Sequence, residues 1–267
     1  MRFSEPAPAK LNLALHVRGR LADGRHALET LFAFCIDGDM LAAETADGLS
    51  LEAGGPFADQ LPVEDNLVLR AASALRDEAG VEAGARLFLT KNLPIASGIG
   101  GGSADAAAAL RLLTRLWAID PAHASAVAPG LGSDVPACLL SMTARGEGAG
   151  DAVELVADPA IAGTPVLLVN PRVPLSTGDV FNHWDGADRG PLEGWREGRN
   201  DLEAPATALV PQIGEVIGWL RSQQGANLVR MSGSGATCFA LFDSETVRDA
   251  ATAACPSNWW HLATFLR

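Results

Sequence analysis

The 267-residue sequence predicts an α+β protein built from two domains. Three observations predict it. Strand-like and helix-like patterns alternate along the chain, as in sheets that carry helices on one face. The length suits one large domain or two modest ones. Residues 146–164 are rich in Gly, Ala and Asp without apolar periodicity, which places a boundary near residue 156 and gives domains 1–156 and 157–267.

The elements follow in order. Leu11, Leu13, Leu15 and Val17 alternate with Lys10, Asn12, Ala14 and His16, the period of a half-buried strand. LETLFAFCI (28–36) reads as a second strand, and Gly38, Gly48, Gly54 and Gly55 punctuate a β-rich stretch. Residues 66–79 have helical spacing, with Leu67, Ala71 and Leu75 near one face, and 85–90 return to strand. A glycine-rich loop then feeds the helix-prone run ADAAAALRLLTRLW. The turn Gly132–Pro136 precedes a short apolar segment. The second half opens on a buried-type strand, PVLLVN (165–170), and a loop covers about 182–199. Helices are predicted near 201–209, 211–224 and 244–254, and strands at 227–231, 237–242 and the C-terminus.

Composition narrows the function. At 48% apolar and 19% charged, the chain is too hydrophobic to be disordered. Twenty basic against 32 acidic residues give a net charge of −12, which weighs against nucleic acid and anionic membranes as partners. Cys35, Cys138, Cys238 and Cys255 form no metal-binding spacing and read as thiols of a reducing compartment. The first residues lack a signal-peptide core, and no apolar run is long enough to span a bilayer. The expectation is a cytoplasmic protein, monomer or homodimer, acting on a small molecule.

The loop Pro94, Ile95, Ala96, Ser97, Gly98, Ile99, Gly100, Gly101, Gly102, Ser103 carries the main chemical signal. Glycines let backbone N–H groups approach a ligand, and the following helix N-terminus favours a phosphate. Ser103 fits either the N-cap or a hydroxyl reaching the phosphate or its metal. The loop lacks the Gly-Lys-Ser/Thr of a Walker A motif and the trailing acid of a dinucleotide fingerprint. Lys10 and Asn12 share one strand face, which is either functional or a solvent-facing edge. Asp134, before Val135-Pro136, is either functional or a helix cap. Asp23-Gly24 marks a hairpin turn beside His26, and Ser232–Gly235 is at least a tight turn between strands.

Taken in order, PAKLNLALHV, ADGRHALETLF, LPIASGIGGGSADAA, LGSDVPACL, NDLE and MSGSGATCFALF resemble the GHMP small-molecule kinases. These are named for galactokinase, homoserine kinase, mevalonate kinase and phosphomevalonate kinase. The resemblance runs from about Pro8 to Phe242. AKLNL combined with ADGRH is most similar to the subgroup acting on 4-diphosphocytidyl-2-C-methyl-D-erythritol, in non-mevalonate isoprenoid synthesis. The resemblance implies a GHMP fold, with an N-terminal domain like ribosomal protein S5 and a ferredoxin-like C-terminal domain. It implies ATP, with Mg²⁺ as the nucleotide complex, and phosphorylation of the substrate's 2-hydroxyl. The loop Pro94–Ser103 would wrap the ATP phosphates, with Asn66 and Val68 lining the adenine pocket. Lys10 and Asp134 would flank the acceptor hydroxyl. Asn12 would hold the substrate, His26 would recognise cytosine, and Thr177 and Phe181 would face the substrate. The family's usual tyrosine is replaced by Arg25 in a chain with no tyrosine, so Arg25 is expected to stack on the cytosine or to point to solvent. A homoserine- or mevalonate-type kinase is the alternative, against which AKLNL and ADGRH weigh. A silent nucleotide-binding member is another, against which Lys10 and Asp134 weigh.

Overall fold

A computed structural model describes residues 2–62 and 66–267. The chain forms two compact units, each assembled from separate stretches: 1–9, 37–95 and 100–141 in the first, 10–36, 96–99 and 142–267 in the second. This grouping differs from a single cut near residue 156. The reason lies in two long strands, β1 (Arg2–Arg20) and β2 (His26–Ala46), which contribute to both units.

In the first unit, the C-terminal part of β2 runs antiparallel to β4 (Gly84–Thr90), with Met40 opposite Thr90 and Ala46 opposite Gly84. β3 (Leu49–Gly54) lies parallel on the other side of β4. Gly38 does not end β2, contrary to its expected role as punctuation. A Cβ there would lie 2.1 Å from the Ala7 carbonyl oxygen, so the glycine permits close packing within a continuing strand.

Four helices complete this unit: α1 (Leu67–Ala79), α2 (Gly101–Leu116), α3 (Pro121–Leu131) and α4 (Val135–Leu140). The Asn66 side chain caps α1 by accepting the Val68 N–H at 2.9 Å, and left-handed Gly80 ends it. α2 packs against α1, α3 and α4, and Ala104 through Leu110 are all buried. Its alanines let three neighbours approach closely, which accounts for an apolar run without one polar face. α3 escaped the sequence reading because Pro129 and Gly130 lie within it; Asp120 caps it and Pro121 occupies its first turn.

In the second unit, Thr30–Phe32 of β2 pair with β5 (Ala144–Glu147), which pairs with β6 (Ala152–Leu155). The end of β5 and all of β6 fall in the stretch 146–164, expected to lack regular structure. A second sheet has the antiparallel order β10 (Trp260–Phe265), β7 (Pro165–Asn170), β9 (Cys238–Phe242), β8 (Ala226–Met231). α7 (Gln212–Arg221) and α8 (Glu245–Ala253) pack on this sheet, and α5 (Thr177–Asn182) packs on α6 (Glu203–Leu209). Leu15, Val17, Leu167, Val169, Ile213, Leu220 and Phe242 join one buried cluster.

The stretch Ala9–Val17 of β1 is buried on both faces, not on one as its alternation predicts. Lys10 and Asn12 escape the cost of burial through the hydrogen bonds described next, and His16 through a bond from its ring to the Gly190 carbonyl at 3.0 Å. Among the described residues, no helix is long and apolar enough to cross a membrane.

Candidate active site

The two units bring together different sets of the candidate residues. The first holds Asn66, Val68, Pro94, Ile95, Gly100–Ser103 and Asp134; the second holds Lys10, Asn12, Arg25, His26, Ala96–Ile99, Thr177 and Phe181.

In the second unit, Lys10 and Asn12 are each only 3% exposed, which removes the solvent-edge reading. Lys10 Nζ donates to Asn12 Oδ1 at 2.8 Å. Asn12 Nδ2 donates to Thr30 Oγ1 at 2.8 Å, and that hydroxyl donates to the Ala14 carbonyl at 2.6 Å. The amide of Asn12 is thus fixed in one orientation, its oxygen toward the ammonium.

Ser232 then ties this strand to the glycine loop. Its hydroxyl accepts the Asn12 N–H at 3.1 Å and donates to the Gly98 carbonyl at 3.0 Å. The Lys10 N–H donates to the Ile99 carbonyl, and the Thr237 N–H to the Ser97 carbonyl. Gly98 has φ +77°, and a Cβ there would lie 2.5 Å from the Ser232 carbonyl oxygen and 2.6 Å from that of Gly235. The turn 232–235 is therefore more than a connection: its backbone is the floor on which Ser97 and Gly98 rest. Thr177 Oγ1 and Ser234 Oγ, 2.9 Å apart, attach the start of α5 to the same turn.

His26 stacks on Phe181, with ring centroids 4.6 Å apart and planes 25° apart, and Trp184 meets His26 edge-on. Burial, followed by the charge of Arg20, lowers the His26 pKa, so the ring is neutral near pH 7. His26 Nε2 and Trp184 Nε1 are buried polar atoms with no protein partner. Arg25 does not join this cluster. Its guanidinium bonds Asp23 at 2.7 Å and Asp151 at 2.9 Å and is more than half exposed. Two carboxylates hold it away from a stacking position, in keeping with the solvent-facing alternative.

In the first unit, α2 begins at Gly101 with left-handed Gly100 as its N-cap residue and no side-chain capping bond. Ser103 lies inside the first turn, so its reading as the N-cap is corrected; the glycines themselves start the helix. A Cβ on Gly102 would meet nothing within 4 Å, so open space faces its backbone. Val68 is buried at 1% exposure within the α1 packing. Asp134 stands at the N-cap of α4, yet its side chain makes no capping bond, which removes the capping reading.

Sequence reasoning missed three buried charges in this unit. Lys91 Nζ pairs with Asp39, and with Asp105 at 2.7 Å. Asp39 Oδ1 also accepts the Asn92 and Leu93 N–H groups at 2.5 and 2.8 Å. One signal was available: Asp105 interrupts an otherwise alanine-rich helical run.

The family comparisons place this fold, with its glycine loop entering the N-terminus of α2, among the small-molecule kinases. Residues 66–142 match the model of the GHMP kinases N terminal domain, and 187–260 that of the GHMP kinases C terminal. The chain belongs to the GHMP kinase family, whose members are ATP-dependent kinases. It is 54% identical to the "4-diphosphocytidyl-2-C-methyl-D-erythritol kinase" of Rhizorhabdus wittichii over all of this chain and 96% of that protein. It is 52% identical to the protein of the same name from Novosphingobium aromaticivorans, over 100% of this chain and 94% of the other. A crystal structure of 4-(cytidine 5'-diphospho)-2C-methyl-D-erythritol kinase superposes with TM-score 0.83 at 34% identity, covering 100% of this chain and 99% of that one. Homoserine kinase from Cytophaga hutchinsonii shares the fold, with TM-score 0.72 at 18% identity and coverage of 99% and 95%.

Proposed function

We infer that this chain transfers the γ-phosphoryl group of ATP to the 2-hydroxyl of 4-diphosphocytidyl-2-C-methyl-D-erythritol. The observation that carries the reading is end-to-end likeness, at 54% identity, to a kinase named for that alcohol. The local geometry agrees with the chemistry. Phosphoryl transfer asks a protein mainly for positioning and charge compensation. The uncapped N-terminus of α2, with open space at Gly102, fits a triphosphate. In this reading the loop 94–103 carries the phosphates, and Asn66 and Val68 border the adenine.

No group of three or more His, Cys, Asp or Glu side chains is placed to hold a metal ion among the described residues. In this reading Mg²⁺ would arrive with the nucleotide and offset its charge. Asp134 takes the proton of the acceptor hydroxyl or orients that hydroxyl toward the γ-phosphorus. Lys10, held by Asn12, offsets the negative charge that develops on transfer. Neutral His26, with Phe181 and Trp184, supplies an aromatic site with unpaired polar atoms for the cytosine; Asn12 and Thr177 hold the rest of the substrate.

The test is ATP consumption by the purified protein with four alcohols: the cytidyl-erythritol compound, homoserine, mevalonate and galactose. Turnover of the first is expected. Turnover of homoserine or mevalonate with none of the first would overturn the assignment.

A further inference from the structure

Lys91 is the only lysine besides Lys10 in the whole sequence, and it is buried at 1% exposure in the first unit. An ammonium taken out of water is costly unless it is well paired. Here the pairs come from two directions. Asp39 lies on β2, and Asp105 lies on α2, four residues after its first residue. Asp39 does more than balance charge, because its other oxygen accepts the N–H groups of Asn92 and Leu93. One carboxylate therefore pins the chain just before the glycine loop. One ammonium pins the first turns of the helix just after it.

Gly101 shows how tight this arrangement is. A Cβ there would point inward, 3.0 Å from Lys91 Nζ and 3.8 Å from Asp39 Oδ2. The end of a lysine ordinarily gives way to a methyl group. This one is held by two carboxylates and cannot move without weakening a buried pair. Gly102, one residue on, has open space at the same point. The two neighbouring glycines thus differ: a side chain at Gly101 would face the clamp, and one at Gly102 would face open space.

We propose that Lys91, Asp39 and Asp105 form a positioning clamp that fixes both ends of the phosphate loop, so that the N-terminus of α2 is preorganised for the nucleotide. None of the three needs to touch the nucleotide for this; they act through the backbone they hold. Preorganised donors bind an anion without the cost of ordering the loop at that moment. The proposal rests on the reading that the α2 N-terminus receives the ATP phosphates.

The experiment is a cycle of four proteins: wild type, Gly101→Ala, Lys91→Met/Asp105→Asn, and the combination of all three changes. Lys91→Met/Asp105→Asn removes both ionisable groups of one pair together and leaves Asp39 its two backbone N–H partners. For each protein, the Kd for Mg·ATP, the KM for the cytidyl-erythritol alcohol and the thermal midpoint are measured. Gly101→Ala is expected to weaken ATP binding about fivefold or more, with the alcohol KM within about twofold and the melt little changed. Lys91→Met/Asp105→Asn is expected to weaken ATP binding at least as much. Adding Gly101→Ala to it should then cost little further, because the methyl group no longer meets a pinned ammonium. Wild-type ATP affinity in Gly101→Ala overturns the clamp. So does a full additive loss in the combination, or a parallel rise of ATP Kd and alcohol KM. If the Lys91 variants do not fold, Gly101→Ala alone decides by its ATP Kd and alcohol KM. A wild-type protein that fails to bind ATP at all would sink the functional reading instead, which keeps the two failures apart.

Discussion

Asp134 occupies the residue before α4, where an aspartate ordinarily bonds a backbone N–H, but its side chain makes no such bond. Asp134→Asn should therefore leave the helix intact while removing the group proposed to act on the acceptor hydroxyl. The expected result is a fall in kcat of about 10²–10⁴-fold with ATP affinity nearly unchanged. Lys10→Met should lower kcat in the same way, although losing the bond to Asn12 frees that amide and raises the alcohol KM too. Steady-state kinetics with both substrates varied check this, and wild-type turnover in either variant would remove that residue from the chemistry. Asp105 makes a prediction of another kind. Burial raises its pKa to about 7; Lys91 opposes the rise and the charge of Asp39 adds to it. The folded protein thus holds a proton that the unfolded chain, with an ordinary carboxyl, releases near pH 4. Stability from this group is present below pH 4 and is lost as pH rises through about 7, by up to one proton's worth of slope. Urea unfolding across pH 5 to 8 should show a shallower decline in Asp105→Asn than in wild type. An equal slope in both would mean that Asp105 titrates as it does in the unfolded chain.

Among elements, the glycine loop offers the sharpest contrast. Gly98 needs a positive φ and lies backbone to backbone on the 232–235 turn, whereas Gly102 faces open space. Gly98→Ala must lift the loop off its floor and is expected to weaken ATP binding about tenfold or more, with a lower thermal midpoint. Gly102→Ala should melt like wild type, so any loss of ATP affinity there reports contact with the ligand itself. Equal effects of the two changes on stability would contradict this difference in packing. The sequence made the loop, β1, α1, α2 and most of the second sheet legible, because each is a strong period or a glycine run followed by a helix former. It left α3 unread because Pro129 and Gly130 lie within it, and α5 and the short strands β5 and β6 because a few residues each give too little period to count. The site was legible where a motif is contiguous. It was not legible where partners are distant in sequence: Ser232 reaches Asn12 across 220 residues, and Lys91 reaches Asp39 across 52. The choice between the two readings of Arg25 was not legible either, because Asp151, 126 residues away, is one of its two partners.

For the whole molecule, the outstanding feature is that the second unit takes in residues 10–36 as well as 142–267. A cut at residue 156 divides its material. Fragment 1–156 would carry Leu15 and Val17 without Leu167, Val169, Ile213 and Leu220, their partners in the buried cluster. It is expected to lack a cooperative thermal transition for that part, and to regain one when fragment 157–267 is supplied. A fragment 1–156 with a full cooperative melt of residues 10–36 by hydrogen exchange would contradict this. The same layout sets an order of events during synthesis. All residues of the first unit have been made once position 141 leaves the ribosome, so that unit can fold early. The segment 10–36, with Lys10, Asn12 and His26, was translated before most of it and must wait. Until the C-terminal chain emerges, this stretch is an apolar excursion between 1–9 and 37–95, without its core partners and open to aggregation or to a chaperone's grip. A nascent chain can therefore acquire a folded first unit, but not the Lys10–Asn12–Ser232 linkage, until translation has passed Ser232.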